Sequence, residues 1–288
     1  MEVAVLGAGT MGRGIAGASA TAGHEVTIRD VEPPYVERGI ESIGETLREG
    51  VDRGTVAPEE RAAALDRITG TTDLADLAGA ELVIEAVPEE MELKRETVAD
   101  AERVTDGAVI ASNTSSLSLT GIASALETPG RAIGLHFFNP VHLMDLVEVV
   151  VAEQTDDATV EFAEGFVEGL GKETIAVRDT PGFATSRLGV AIGVEAMRMV
   201  EQGVASPRAI DRAMELGYNH PVGPLELTDV VGLDARLDIL EALHEELGER
   251  FHPPRILKRK VRAGKLGKKT GEGFYVWEDG EPVGPADE

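Results

Sequence analysis

A doubly wound, mainly parallel α/β sheet followed by an all-helical domain is the architecture that this 288-residue sequence predicts. Three observations carry the expectation. Short apolar runs alternate with helix-period segments through the first part of the chain, as parallel strands joined by crossover helices require. A Gly-x-Gly-x-x-Gly loop lies between the first run and the first helix. Beyond Asp179-Thr180-Pro181-Gly182 the strand signals give way to successive amphipathic helices. These features divide the chain into domains at 1–180 and 181–288.

The first strand, Val3-Ala4-Val5-Leu6, runs into Gly7-Ala8-Gly9-Thr10-Met11-Gly12. Gly7 permits the tight turn, Gly9 lets backbone approach a pyrophosphate, and Gly12 lets the next helix pack close to its strand. The N–H groups at that helix start, around Thr10 and Met11, would face the phosphates. The helix is expected over Met11 to Ala22, and a second strand over Glu25 to Arg29 ends at Asp30. A carboxylate about 20 residues past the loop holds a ribose 2′-hydroxyl and repels a 2′-phosphate, so the cofactor is expected to be NAD and not NADP. Arg29 would favour a 2′-phosphate, but strand alternation sends it to the face opposite Asp30. Helices are then expected over Tyr35 to Asp52, from Pro58, and over Glu92 to Val104. Strands are expected over Leu82 to Val87, Ala108 to Ala111, Arg131 to Phe138, Leu146 to Val151 and Thr174 to Val177. The second domain reads as helices over Ser186 to Gln202, Pro207 to Leu216, Pro224 to Gly232, Leu233 to Leu247 and Pro254 to Ala263. Gly271 to Trp277 reads as an extended tail, with Trp277 a packing residue.

Composition narrows the function classes. Fifty-two acids against 27 bases give a net charge of −25, which disfavours nucleic acid as a partner. The acids are dispersed, which suits a surface adapted to high salt better than a patch for a cationic partner. One stretch departs from this: Arg255, Lys258, Arg259, Lys260, Arg262, Lys265, Lys268 and Lys269 occur without an intervening acid, either as a solvated helix face or as a contact for an anion. The absence of cysteine excludes disulfides, thiolate catalysis and cysteine zinc sites, and no metal site is expected. No apolar run is long enough to span a bilayer and no secretory signal precedes the first strand, so the expected location is the cytoplasm, with no membrane partner.

His136 stands where an apolar strand ends, before the turn residues Asn139-Pro140, and Glu148 lies inside the next apolar strand. A carboxylate in such a strand is costly without a partner. Adjacent strand ends would bring the two together, with the carboxylate orienting one ring nitrogen and the other acting as base; the bland alternative is a structural histidine and a strand-edge glutamate.

Together with Ile84-Glu85-Ala86-Val87-Pro88-Glu89, Ser112-Asn113-Thr114-Ser115-Ser116-Leu117, His136-Phe137-Phe138-Asn139-Pro140, Leu146-Val147-Glu148-Val149, Asp179-Thr180-Pro181-Gly182-Phe183, Gly223-Pro224-Leu225-Glu226-Leu227 and Gly267-Lys268-Lys269-Thr270-Gly271-Glu272-Gly273-Phe274-Tyr275, the glycine loop resembles the 3-hydroxyacyl-CoA dehydrogenase family over nearly the whole chain. The resemblance implies NAD-dependent oxidation of an (S)-3-hydroxyacyl-CoA, as in β-oxidation. It implies that His136 is the base, Glu148 its orienting partner, Ser115 a hydrogen-bond donor to the reacting oxygen, and Asn139 a contact to substrate and nicotinamide. It places Glu89, Lys94 and Lys269 at the coenzyme, Thr46 and Arg53 at the CoA portion, and a homodimer interface on the helical domain. The chain departs from the family at Ser186, where asparagine is usual, which bears on the substrate more than on hydride transfer. Two alternatives follow: a related 3-hydroxy-acid dehydrogenase without CoA, as in the L-gulonate dehydrogenase and lambda-crystallin branch, or an NAD-binding protein without catalysis.

Overall fold

The strands of the first half assemble because each is a short, almost wholly apolar run that is stable only with both faces covered. In the computed structural model, which describes residues 1–286, the chain forms two units, Met1–Thr180 and a second beginning at Pro181.

In order, the first unit comprises β1 (Glu2–Leu6), α1 (Thr10–Thr21), β2 (Glu25–Arg29), α2 (Pro33–Asp52), α3 (Pro58–Asp66), β3 (Ile68–Thr71), β4 (Leu82–Glu85), α4 (Met91–Val104), β5 (Val109–Ser112), α5 (Leu119–Ala123), β6 (Ala132–Phe137), β7 (Leu146–Val151), α6 (Asp157–Gly169) and β8 (Glu173–Arg178). They make one eight-stranded sheet in the order β3-β2-β1-β4-β5-β6-β7-β8. Every neighbouring pair is parallel except β6 and β7, which are antiparallel. The carboxyl ends of β1, β2, β4, β5 and β6 therefore share one edge, where ligands bind in open α/β sheets. Val3, Val5, Ile28, Leu82, Ile84, Ile133 and Val149 form the sheet's contribution to the core, against Ile15, Ala16 and Ala20 of α1 and Phe166 and Val167 of α6.

Three elements go beyond the sequence expectation. β3 reads only Ile-Thr-Gly-Thr, α5 is a single short turn, and α6 carries its apolar residues among acids and glycines, so none gives a strong periodic signal.

The second unit contains α7 (Thr185–Glu201), α8 (Pro207–Tyr218), α9 (Pro224–Val231), α10 (Leu233–Leu247) and α11 (Arg255–Arg262). It closes with an antiparallel pair, β9 (Tyr275–Glu278) and β10 (Glu281–Pro285), so the expected tail is in fact a hairpin and the unit is helical but not all-helical. Val190, Val194, Met197, Leu240, Leu243, Leu257, Phe274 and Trp277 build its core. Two buried aspartates fix this unit's joints. Asp229 accepts from the Phe274 N–H at 2.8 Å, the Tyr275 N–H at 2.9 Å and the Trp277 indole N–H at 3.0 Å. Asp211 accepts from the Leu225 and Glu226 N–H groups at the start of α9 and from the Tyr275 hydroxyl.

Candidate active site

The glycine loop has the geometry its sequence demands. Gly7 has a φ of +101°, a conformation open to glycine. A side chain at Gly12 would bring a Cβ within 1.8 Å of the Gly7 carbonyl oxygen, so α1 packs against the loop only as glycine. At Gly9 a Cβ would meet nothing within 4 Å, leaving open space over the backbone at the start of α1. Asp30, at the end of β2, braces the loop: its Oδ2 accepts from the Ala8 N–H at 2.7 Å and its Oδ1 from the Val31 N–H at 2.7 Å. Arg29 donates to the Thr72 carbonyl at 3.3 Å. Open space at a helix N-terminus, flanked by a carboxylate with acceptor capacity to spare, fits the pyrophosphate and ribose of a dinucleotide.

The loop after β5 is organised by Glu89. Its Oε1 accepts from the Thr114 hydroxyl at 2.6 Å, the Ser115 N–H at 2.9 Å and the Ser116 N–H and hydroxyl, both at 3.0 Å. Its Oε2 lies 3.2 Å from Lys94 Nζ. Burial pushes the Glu89 carboxyl upward, but the Lys94 charge and these hydrogen bonds outweigh it and hold the group below its ordinary value. Lys94 is itself fully buried, with Nζ 2.7 Å from Glu85 Oε1 and 3.1 Å from the Val87 carbonyl. Lys94 thus donates to Glu85 and Val87 and pairs with Glu89, tying the ends of β4 and the β5 loop together. Glu85 was not singled out in the sequence, yet it joins three elements, accepting also from the Val87 N–H and from the Ser112 hydroxyl at 2.6 Å.

His136 and Glu148 are directly opposite in the antiparallel β6–β7 register. His136 Nδ1 lies 2.7 Å from Glu148 Oε2; the carboxylate is fully buried and the imidazole nearly so. Such a bond fixes the tautomer, with Nδ1–H donating and Nε2 as the proton-accepting nitrogen. The Phe138 ring packs 4.6 Å from the imidazole, centroid to centroid. Asn113, also absent from the sequence expectations, accepts from the Phe137 N–H at 2.9 Å and ties the end of β6 to the β5 loop that carries Ser115.

On the other side of α1, a cleft of about 900 Å³ is lined by Thr10, Arg13, Thr46, Arg53, Asn139 and Leu143, among others. Thr46 donates its hydroxyl to the Ser42 carbonyl, and Arg53 forms an exposed pair with Glu49 at 3.2 Å. Arg13, bonded to Ser42 at 3.2 Å, adds a cation that the sequence reading passed over. Lys172 anchors the β6–β7 loop through the Val141 and Met144 carbonyls.

In the second unit, Ser186 lies in the first turn of α7. Lys269 pairs with both Asp234 oxygens at 2.6 Å. The basic run is not one patch. Lys260 is buried and donates to the Gly273 carbonyl, Lys265 pairs with Glu272, and Lys268 sits 5.2 Å over the Trp277 ring. Arg255, Arg259 and Arg262 remain exposed on α11. No group of residues suited to hold a metal ion occurs among the described residues.

A sheet with this order, a glycine loop at its carboxyl edge and a histidine–carboxylate pair two strands beyond β4 define the dinucleotide-dependent dehydrogenases as a class. The family model for the NAD-binding domain of 3-hydroxyacyl-CoA dehydrogenase matches residues 2–180, and the model for that family's C-terminal domain matches residues 182–277. A 3-hydroxybutyryl-CoA dehydrogenase of Mycobacterium tuberculosis is 45% identical over 280 residues, covering 96% of this chain and 98% of its own. A probable 3-hydroxybutyryl-CoA dehydrogenase of Deinococcus radiodurans is 43% identical over 281 residues, covering 96% and 100%. The crystal structure of (S)-3-hydroxybutyryl-CoA dehydrogenase from Ralstonia eutropha superposes with a TM-score of 0.93 at 39% identity, covering 96% of this chain and 99% of that one. The chain belongs to the 3-hydroxyacyl-CoA dehydrogenase family, and its cofactor is NAD.

Proposed function

We propose that this chain catalyses the reversible oxidation of (S)-3-hydroxyacyl-CoA to 3-ketoacyl-CoA. The observation that carries the reading is the buried contact of 2.7 Å between His136 Nδ1 and Glu148 Oε2 at the sheet's ligand-binding edge. His136 Nε2 takes the proton of the substrate 3-hydroxyl, and Glu148 holds the ring in orientation and stabilises the imidazolium that results. In the reverse direction the same imidazolium returns the proton to the ketone oxygen. Ser115, on the loop braced by Glu89, donates its hydroxyl to the reacting oxygen. The chemistry that NAD supplies when bound is acceptance of the hydride that leaves carbon 3. Gly7, Gly9, Gly12 and the N–H groups of Thr10 and Met11 hold the pyrophosphate, Asp30 holds the ribose, and Asn139 orients the nicotinamide end.

Thr46, Arg53 and Arg13 along the cleft take the CoA portion, the two guanidinium groups meeting phosphate in an otherwise acidic chain. The family resemblance assigns Ser186 to the substrate and Lys269, which pairs with Asp234, to the coenzyme. The chain works as a homodimer in the cytoplasm, joined through its helical unit. Supporting this, Leu188, Leu216 and Tyr218 are 65%, 73% and 76% exposed there, a cost that a partner surface removes. No helix among the described residues is long and apolar enough to cross a membrane.

The test is oxidation of NADH with acetoacetyl-CoA against free acetoacetate. Turnover confined to the thioester supports the reading. Preference for the free acid supports the CoA-independent branch, and NADH binding without any turnover overturns catalysis.

A further inference from the structure

The connection between β6 and β7, residues 138–145, follows the strand of His136 and carries Asn139, yet little of it is packed. Val141 is its one fully buried side chain. It is seated on α1 at Gly14, where a Cβ would come within 2.8 Å of Val141 Cγ2. Leu143 and Met144 are 60% and 38% exposed. Within the loop, the Leu143 and Met144 N–H groups both donate to the Pro140 carbonyl, at 3.0 and 3.2 Å. A segment with so few buried contacts has low local stability, and it keeps one shape only if bonds from outside fix it.

Those bonds come from the turn between α6 and β8. The half-buried Lys172 donates from Nζ to the Val141 carbonyl at 2.7 Å and to the Met144 carbonyl at 2.6 Å. The two carbonyls are three residues apart and bracket His142 and Leu143, so a single ammonium sets the curvature of the stretch between them. The next residue ties down the far end of the loop: the Glu173 N–H donates to the Asp145 carbonyl at 2.7 Å. A hydrogen bond from a charged donor is roughly twice as strong as a neutral one, so Lys172 is the firmer of these two holds.

The stretch that Lys172 shapes is part of the cleft beside α1. Asn139, Val141, His142 and Leu143 line that cleft together with Arg13 and Arg53, and Lys172 stands behind them, outside the lining. His136 is held separately, by the β6–β7 register and by the bond from the Phe137 N–H to Asn113. The cleft wall can therefore shift while the histidine–carboxylate pair stays in place. We propose that Lys172 is a positioning residue for the thioester substrate: its ammonium holds the β6–β7 loop in the shape that receives the CoA portion, without touching substrate or cofactor. This rests on the acyl-CoA reading above.

Three variants of the full chain test it. Lys172→Met removes the donors, Lys172→Gln keeps N–H donors without the charge, and Lys172→Arg keeps both. For each, NADH-dependent reduction of acetoacetyl-CoA is measured beside NADH binding and amide hydrogen exchange over residues 138–145. In Lys172→Met the KM for acetoacetyl-CoA is expected to rise roughly tenfold, with kcat within about threefold of the wild type, because the loss falls on substrate binding and not on the base. NADH affinity is expected to be unchanged, and exchange over 138–145 to be faster. Lys172→Gln is expected to fall between, and Lys172→Arg to lie near the wild type. An unchanged KM in Lys172→Met overturns the proposal, whatever the exchange shows. So does a joint loss of KM, kcat and NADH affinity, which marks a general structural defect. Should Lys172→Met fail to fold, a wild-type KM in Lys172→Gln, or an equal impairment of Lys172→Gln and Lys172→Arg, overturns it. A wild type that does not reduce acetoacetyl-CoA at all refutes the acyl-CoA reading itself, and the proposal with it.

Discussion

His136 and Glu148 show how much one residue pair can disclose. Each interrupts an apolar strand, and a charged or titratable group in such a run needs a partner. Replacing His136 by Gln is expected to cut kcat by roughly 10²–10⁴-fold, the usual cost of losing a general base, while NADH still binds. Steady-state kinetics beside fluorescence titration with NADH checks both halves, and an undiminished kcat would remove His136 from the mechanism. Other residues were less legible. Lys94 is placed at the coenzyme by the family resemblance, and folding buries it among Glu85, Val87 and Glu89. Arg236, on which the sequence carried no expectation, lies buried on α10. Helical periodicity is too coarse to say which side of a boundary position faces inward when both neighbours are apolar. Glu85 and Asn113 gave no signal of their own, because their partners, Ser112 and Phe137, come from strands distant in sequence.

At the scale of elements, the β5 loop is held by one carboxylate. Because the folded state depresses the Glu89 pKa, its stabilising contribution is present above the ordinary value of 4.5 and is lost as pH falls through the lower, folded-state value. Glu89→Gln is therefore expected to be less stable than the parent at pH 7, with the gap in Tm narrowing as the pH is lowered below about 4.5. Thermal melts of both proteins across pH decide the matter, and a gap that is constant or widens in acid would mean that Glu89 does not brace the loop as an anion. The element boundaries themselves followed from sequence with small shifts. The β7 expectation over Leu146 to Val151 and the α10 expectation over Leu233 to Leu247 match the observed limits. The weak elements, β3, α5 and α6, owe their existence to the partners they pack on. Strand β3 exists because β2 offers an open edge, pairing Val26 with Ile68 and Arg29 with Thr71.

For the whole molecule, the dominant sequence-level fact is a charge of −25. Dispersed like charge destabilises the compact state by self-repulsion, and molar salt shortens the screening length to about 3 Å. Raising KCl from low to molar concentration is accordingly expected to raise Tm by several degrees, readable by differential scanning fluorimetry; a flat or falling profile would argue against salt adaptation. The sequence by itself determined the layered α/β architecture, the dinucleotide loop and the candidacy of His136 and Glu148, because strand and helix periods, glycine conformations and the cost of buried charge are local properties of the chain. Only the tertiary structure decided that β7 runs antiparallel to β6 and sets Glu148 opposite His136, that Lys94 is buried against Glu85 and Glu89, that the basic run is divided among separate partners, and that Arg236 is buried without a partner among the described residues. Each of those depends on which distant segments meet, and register and burial are fixed by the packing of the whole fold.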